Sequence, residues 1–359
     1  MTHRRSFLAS MAAGAWLPAA VSQARAESSR PAARKIRVGA LNVGEYTFWG
    51  IWAEILASQG LFGGGLLNME ITHCWDVNPK LAREFADKYG CVAVDRYDGM
   101  LGKVDAIGFG GLYEVPWQHR LAWPYVEAGV PTYLSRPFSY RLRDIDAILN
   151  LATKKGTPLM ATSVQEHYYQ ASYLKGRLGN VGVIKGVHGL CFTDEYPAHF
   201  HIQWFILRAL GYEVEKVSLF TDDERKATYL QDTMLFKGRE GQPPFLAALH
   251  GVSGTHHLYL KVTGDKGRET ITMDRSPDRR ETLYYYFAPQ LMDMQRTFQG
   301  DSYQSFDVIR KKTQVFLAGY YSYLEKGGSL FPVDQVPEDW SPRHFRPNWI
   351  DESMFSAKS

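Results

Sequence analysis

The sequence predicts an α/β chain, with an N-terminal doubly wound parallel sheet and a C-terminal α/β region built on an open, mostly antiparallel sheet. Three observations predict it. Between 35 and 162, short apolar runs alternate with amphipathic stretches of ~10–14 residues, the rhythm of strand–helix–strand units. Near 165 that rhythm gives way to one helix and then a succession of strand-like runs. The 359 residues also suffice for two cores at about 150 residues per domain, without disulfides or metal.

Each element has its own signal. The run 35–41 ends in the polar turn Asn42-Val43-Gly44-Glu45, as a buried strand does before a helix. Apolar residues at helical spacing (Phe48, Ile51, Trp52, Ile55, Leu56) put a helix over 47–59. A second strand, 69–75, closes at Asp76. Asn78-Pro79 opens a helix bearing Leu81, Phe85 and Tyr89 and stopped by Gly90. Strands follow at 91–94, 104–109, 131–134 and 158–161, with helices at 117–128 and 142–155 between them. Beyond 162, helices are expected at 165–178 and 202–210. Strands are expected at 183–191, 214–220, 233–236, 245–252, 257–263 and 269–273. A long helix at 307–324 carries Ile309, Thr313, Phe316 and Tyr320 on one stripe. The domains implied are 35–162 and 163–331, with a tail over 332–359 that packs on the surface.

Residues 1–26 read as a targeting segment. Arg4-Arg5-Ser6-Phe7-Leu8 is a twin-arginine pattern, 7–21 is Ala-rich and weakly apolar, and Ala24-Arg25-Ala26 is a small-x-small cleavage site. Gly14 and Pro18 break the apolar run before the ~20 residues that a membrane span needs. Residues 27–34 form a linker. The expectation is export by the twin-arginine machinery to the periplasm or beyond, with no membrane attachment after cleavage. That route carries folded proteins and suits a tightly held cofactor. Arg4, Arg5 and Arg25 account for the whole net charge of +3. The remainder is neutral, which excludes a nucleic-acid binder driven by overall charge. Of the three cysteines, Cys74 and Cys91 are expected at opposite ends of neighbouring strands, and all three as buried thiols.

A strand, a polar turn and a helix make the place where a dinucleotide pyrophosphate sits. Aligning the strand end puts Asn42, Gly44 and Thr47 at the three glycine positions of that turn, with Val43 between the first two. Asp76 ends the second strand, where a carboxylate accepts from a ribose hydroxyl and favours NAD over NADP. Two alternatives stay open: a doubly wound domain without nucleotide, and Asp76 as a helix cap. The segment 194–201 holds a His-x-His with nearby acids, but no third ligand has motif spacing, so no metal is expected.

Three segments resemble the Gfo/Idh/MocA family of sugar and inositol oxidoreductases: VDAIGFGG (104–111), HRLAWPYVEAGVPTYLSRPFSY (119–140) and LATKKGTPLMATSVQEHYYQASYLKGRLGNVGVIKGVHG (151–189). VTGDKGRETITMD (262–274) adds a match in the second half. The resemblance implies an N-terminal Rossmann domain and a C-terminal sheet that commonly forms oligomer contacts, hence a homo-oligomer. The family's Glu-Lys-Pro falls on Ser135-Arg136-Pro137, with Pro137 expected in cis. Arg136 keeps the charge but cannot easily lose a proton. Gly110, Gly111 and His119 fall near the cofactor, and Gln165 where the family often has Asn beside the sugar. The second-domain histidine falls on His201, or on His199 if the loop shifts. The flanking acids are replaced by Pro197 and Trp204. Tyr196 and Trp204 are candidate sugar-stacking aromatics.

The resemblance therefore implies hydride transfer between NAD(P) and a sugar or polyol, with Arg136 holding the hydroxyl and His201 or His199 exchanging its proton. Two other readings compete: glycoside cleavage through transient NAD oxidation, and a non-catalytic carbohydrate-binding or scaffold protein that lost the site.

Overall fold

A computed structural model of the chain describes residues 34–44, 47–58, 67–111, 115–192, 200–222, 228–252, 257–274, 286–301 and 303–342. The leader, His199 and Tyr196 lie outside these residues. From Ile36 onward the chain forms one compact unit around two sheets.

The first sheet contains β1 (Ile36–Leu41), β2 (Met69–Trp75), β3 (Val92–Ala93), β4 (Ala106–Phe109), β5 (Thr132–Ser135) and β6 (Leu159–Thr162). All pair in parallel, in the order β3-β2-β1-β4-β5-β6. The chain reverses direction across the sheet between β1 and β4, the point at which open parallel sheets bind ligands. The connecting helices are α1 (Trp49–Ala57), α2 (Pro79–Tyr89), α3 (Gln118–Glu127) and α4 (Leu142–Lys155). Their punctuation follows the sequence. Asn78 caps α2 by accepting from the Lys80 amide at 3.0 Å, Pro79 opens it, and Gly90 ends it at φ +71°. β4, β5 and β6 are wholly buried, as strands covered on both faces must be.

After α5 (Tyr169–Val181) the second sheet runs through β7 (Ile184–Phe192), β8 (Val214–Thr221), β9 (Tyr229–Phe236), β10 (Phe245–Val252), β11 (His257–Gly264) and β12 (Arg268–Asp274). The helix α6 (Phe200–Leu210) intervenes after β7. Then come α7 (Ala288–Phe298), α8 (Phe306–Lys326) and β13 (Phe331–Pro332). The order is β12-β11-β7-β10-β9-β8-β13, antiparallel except for the β7–β10 pair. The stripe Ile309, Thr313, Phe316, Tyr320 is fully buried; α8 packs on β8, and Phe316 stacks on Tyr140. Residues 332–342 lie on the body: Val333 and Val336 are buried, and Trp340 packs on Tyr321. Among the described residues no helix is long and apolar enough to cross a membrane.

Three local expectations are corrected. The helix expected from 165 starts at Tyr169, because Ser163 and Glu166 form a capping box over one short 3-10 turn and Tyr168 is extended (ψ 134°). The helix α7 has no counterpart among the expected elements, although Leu291, Met294 and Phe298 mark its buried face. Cys91 is half-buried and close enough to Cys74 for the two thiols to shift each other's titration, Cys74 upward and Cys91 downward, while Cys74 Sγ donates to Ala82 O at 3.4 Å. The reason is the shortness of β3. It pairs over only Val92 and Ala93, with Ala93 opposite Cys74, so Cys91 falls just two residues from Cys74's strand partner.

One buried acid sits in the second core. Asp232 of β9 is wholly inaccessible; Oδ2 accepts from Gln203 Nε2 at 3.0 Å and Oδ1 has no partner. Burial pushes its pKa up to about 7. Between the usual carboxylate range and that value, the native state holds a proton that the unfolded chain has released. Stability must therefore fall as pH rises through that window. Asp232→Asn is expected to flatten the decline, raising the urea midpoint at about pH 8 more than at about pH 5. Equal shifts at both values would refute the assignment.

Candidate active site

The carboxyl edge of the parallel sheet is built strand by strand. At the end of β1, Asn42 takes a left-handed conformation (φ +54°), which asparagine tolerates better than most residues. Its backbone N–H donates to Trp75 O at 2.8 Å. Both polar atoms of its buried side chain lack a hydrogen-bond partner. Asp76 fixes the turn that follows: its carboxylate accepts from the amides of Gly44 (2.7 Å) and Asn78 (2.8 Å). Burial nevertheless outweighs these bonds and raises its pKa. The cap of α2 is Asn78, so the alternative reading of Asp76 as that cap is corrected; its carboxylate anchors the β1 turn. Gly44 is required for this contact, since a Cβ there would lie 2.9 Å from Asp76 Oδ2 and 2.7 Å from Leu81 Cδ1.

The same loop is tied to β4. Thr47 bridges Gly111, and the Phe48 amide donates to Gly110 O at 2.8 Å. The indole of Trp49 folds beneath, donating from Nε1 to Leu41 O at 2.9 Å. A Cβ on Gly110 would meet Trp49 Cδ1 at 2.7 Å, so this glycine makes room for an indole of the protein itself. Thr47 stands where a third glycine would allow close packing. Its hydroxyl accepts from the Trp49 amide at 3.2 Å.

At the other end of the crevice, Ser135 of β5 lies beside Thr162 of β6. The Arg136 amide donates to Thr162 O at 3.0 Å. Arg136 is buried and left-handed (φ +64°), a backbone state that costs a non-glycine residue on the order of 1–3 kcal/mol and is concentrated at functional sites. Its guanidinium lies over the Phe48 ring, 4.5 Å from the centroid. One residue past β6, Ser163 Oγ meets His201 Nδ1 at 2.5 Å. The paired strands thus carry Arg136 and the Ser163–His201 pair to adjacent positions on one edge. His201 is oriented by a hydroxyl in place of the carboxylate missing from the sequence. Gln118, at the start of α3, supports Ser135 by accepting from its amide at 2.9 Å.

Polar atoms without partners recur along this edge. Gln118 Nε2, Ser135 Oγ and Gln165 Oε1, with both side-chain atoms of Asn42, are buried and have no hydrogen-bond partner among the described residues. Buried polar groups are normally paired, so a cluster of unpaired ones at the end of the strands calls for an explanation.

Behind it lies a saturated ionic cluster. Lys312 Nζ donates to Glu166 Oε1 (2.9 Å) and Oε2 (2.8 Å), Gln304 Oε1 (2.8 Å) and Ala161 O (2.7 Å). Burial pushes its pKa down to about 8 against the attraction of Glu166. Trp204 is wholly buried with Lys312 Nζ 4.1 Å from its ring centroid, so its expected role as a sugar-stacking surface is corrected. His119 faces Asp144 (Nε2–Oδ2 3.6 Å), and burial lowers its pKa to about 4. Ser163 and Glu166 were not expected as site residues; their S-x-x-E spacing, a capping-box pattern, is the signal they carry. Lys312 had no sequence signal. Among the described residues no three His, Cys, Asp or Glu side chains converge as a metal site.

No family model and no curated protein matches the chain. Solved structures do. A probable dehydrogenase from Thermotoga maritima superposes with TM-score 0.67 at 16% identity over 84% of this chain and 100% of that one. A scyllo-inositol dehydrogenase from Lactobacillus casei with bound NAD(H) and scyllo-inositol gives 0.66 at 13% over 84% and 100%. The WlbA dehydrogenase from Bordetella pertussis in complex with NADH and UDP-GlcNAcA gives 0.65 at 15% over 85% and 100%. At these identities the likeness establishes architecture: the chain has the fold of the Gfo/Idh/MocA-type dehydrogenases.

Proposed function

We propose that the protein is an NAD(P)-dependent oxidoreductase acting on a sugar or polyol. The observation that carries the reading is the row of buried, unpartnered polar atoms on Asn42, Gln118, Ser135 and Gln165, flanking Arg136 and His201. A dinucleotide fits such a row, because its carboxamide, ribose hydroxyls and phosphates both donate and accept along an extended line. Asn42 and Asp76 would hold the adenosine side, and Ser135, Arg136 and Gln118 the nicotinamide side. Asp76 disfavours a 2′-phosphate, so NAD is the expected form. When bound, NAD(P) supplies the hydride acceptor. Arg136 remains charged and orients a substrate oxygen. Ser163 fixes the His201 ring through Nδ1, which assigns proton exchange to Nε2. The leader supports a setting outside the cytoplasm, where a retained cofactor would be recycled.

The test is to purify the chain without added nucleotide, denature it and identify released dinucleotide by mass spectrometry, then titrate NAD and NADP by calorimetry. Released or titrating NAD is the expected result. One observation favours a second reading, a non-catalytic carbohydrate-binding protein: the Gly44 amide, which a phosphate would use, is already committed to Asp76. No binding of either dinucleotide at millimolar concentration would overturn the oxidoreductase and leave that reading.

A further inference from the structure

We infer that a cavity between α3 and α4 is a separate binding site for a neutral sugar. The cavity has a volume of about 580 Å³ and lies between these helices, the Ser139–Arg141 loop and the segment ending at Ser341 and Pro342. That volume falls within the roughly 300–1,000 Å³ of small-molecule sites. Asn42, Asp76, Arg136 and His201 are not among its lining residues.

Two side chains point to a ligand. His119 is more than nine-tenths buried, lines the cavity, and has no partner at Nδ1 among the described residues. Burial keeps the ring neutral at physiological pH, and Nε2 faces Asp144. With the proton on Nε2, Nδ1 is an acceptor that requires an O–H or N–H from a ligand. Arg141, on the same cavity wall, has a buried Nε–H with no partner and requires an oxygen. A hydroxyl group both donates and accepts, so vicinal hydroxyls match this pair.

The rest of the lining agrees. Trp117, Trp123 and Tyr140 line the cavity, and Trp123 is 38% exposed. Such faces stack on the apolar face of a pyranose ring. The charged lining balances: Arg120 and Arg141 stand against Glu127 and Asp144. A carboxylate or ammonium ligand gains no net attraction there, whereas an uncharged polyol satisfies the unpartnered atoms without desolvating a charge of its own. This inference is independent of whether the sheet crevice takes a dinucleotide.

The experiment is calorimetric titration of the full chain with glucose, galactose, xylose, maltose and cellobiose, with glucuronate as the charged control. At least one neutral sugar is expected to bind saturably. Trp123→Ala and Arg141→Ala should weaken it by roughly tenfold or more, about 1.4 kcal/mol, while His201→Ala in the crevice leaves it unchanged. Trp123 is a surface residue, so its loss does not endanger the fold, and circular dichroism would verify this. No binding of a neutral sugar, binding insensitive to both cavity variants, binding abolished by His201→Ala, or binding of glucuronate alone would each overturn the proposal.

Discussion

Lys312→Ala is expected to destabilise the protein by about 3–5 kcal/mol, the cost of leaving one member of a buried ion pair without its partner. The ammonium is fully buried and surrounded by four acceptors from three segments of chain. Removing it leaves the Glu166 carboxylate with donors from the Ser163 amide and Gln304 Nε2 only, in a site with no water access. The paired variant Glu166→Gln/Lys312→Met removes both charges and keeps the volume. It is expected to be much closer to the parent, because a buried salt bridge often contributes no more than a well-packed neutral pair. Urea denaturation of the single and double variants reads the coupling directly. Additive losses would show that the two charges do not depend on each other.

The second large effect is catalytic and follows from the proposed function. Once a substrate is found, His201→Ala is expected to lower kcat by about 10²–10⁴-fold, the range for loss of a general acid–base group. Ser163→Ala should lower kcat by roughly tenfold, the scale of one hydrogen bond of about 1.4 kcal/mol, with KM little changed. Ser163→Thr, which keeps the hydroxyl, should recover most of the loss. Ser163 is a positioning residue, so this rescue matters more than the deficit. A Ser163→Ala enzyme with normal kcat would remove Ser163's positioning role, and a His201→Ala enzyme with normal kcat would remove His201 from the mechanism.

The parallel sheet was legible because its signals are local. Apolar runs, Asn78-Pro79, and Gly90 and Gly156 after their helices each act within a few residues. The resemblance pointed to Arg136 and His201; in the structure Arg136 follows β5, and His201, on α6, meets Ser163 just past the neighbouring β6. What escaped depends on contacts far apart in sequence. Lys312 looks like a solvent-facing residue of a long helix until Glu166, 146 residues away, is brought against it. Trp204 gives no sign that it is sealed beneath that ammonium. The distance expected between Cys74 and Cys91 assumed a full-length third strand, whereas β3 is only two residues long. Asp76 lies just past the strand end as expected, but beside the local Asn78 amide it holds the Gly44 amide, in a turn 32 residues earlier.

The helix α7 returns to the first sheet late in the chain. Gln290 donates to the Tyr133 hydroxyl at 2.7 Å, Thr297 Oγ1 lies 3.5 Å from Met160 Sδ, and Gln295 accepts from the Asn68 amide. During synthesis, therefore, the six parallel strands leave the ribosome well before the segment that covers Tyr133 and Met160. The patch of β5 and β6 around Tyr133 and Met160 stays uncovered until residues 288–298 have emerged, and a polypeptide cut before them would present it to solvent.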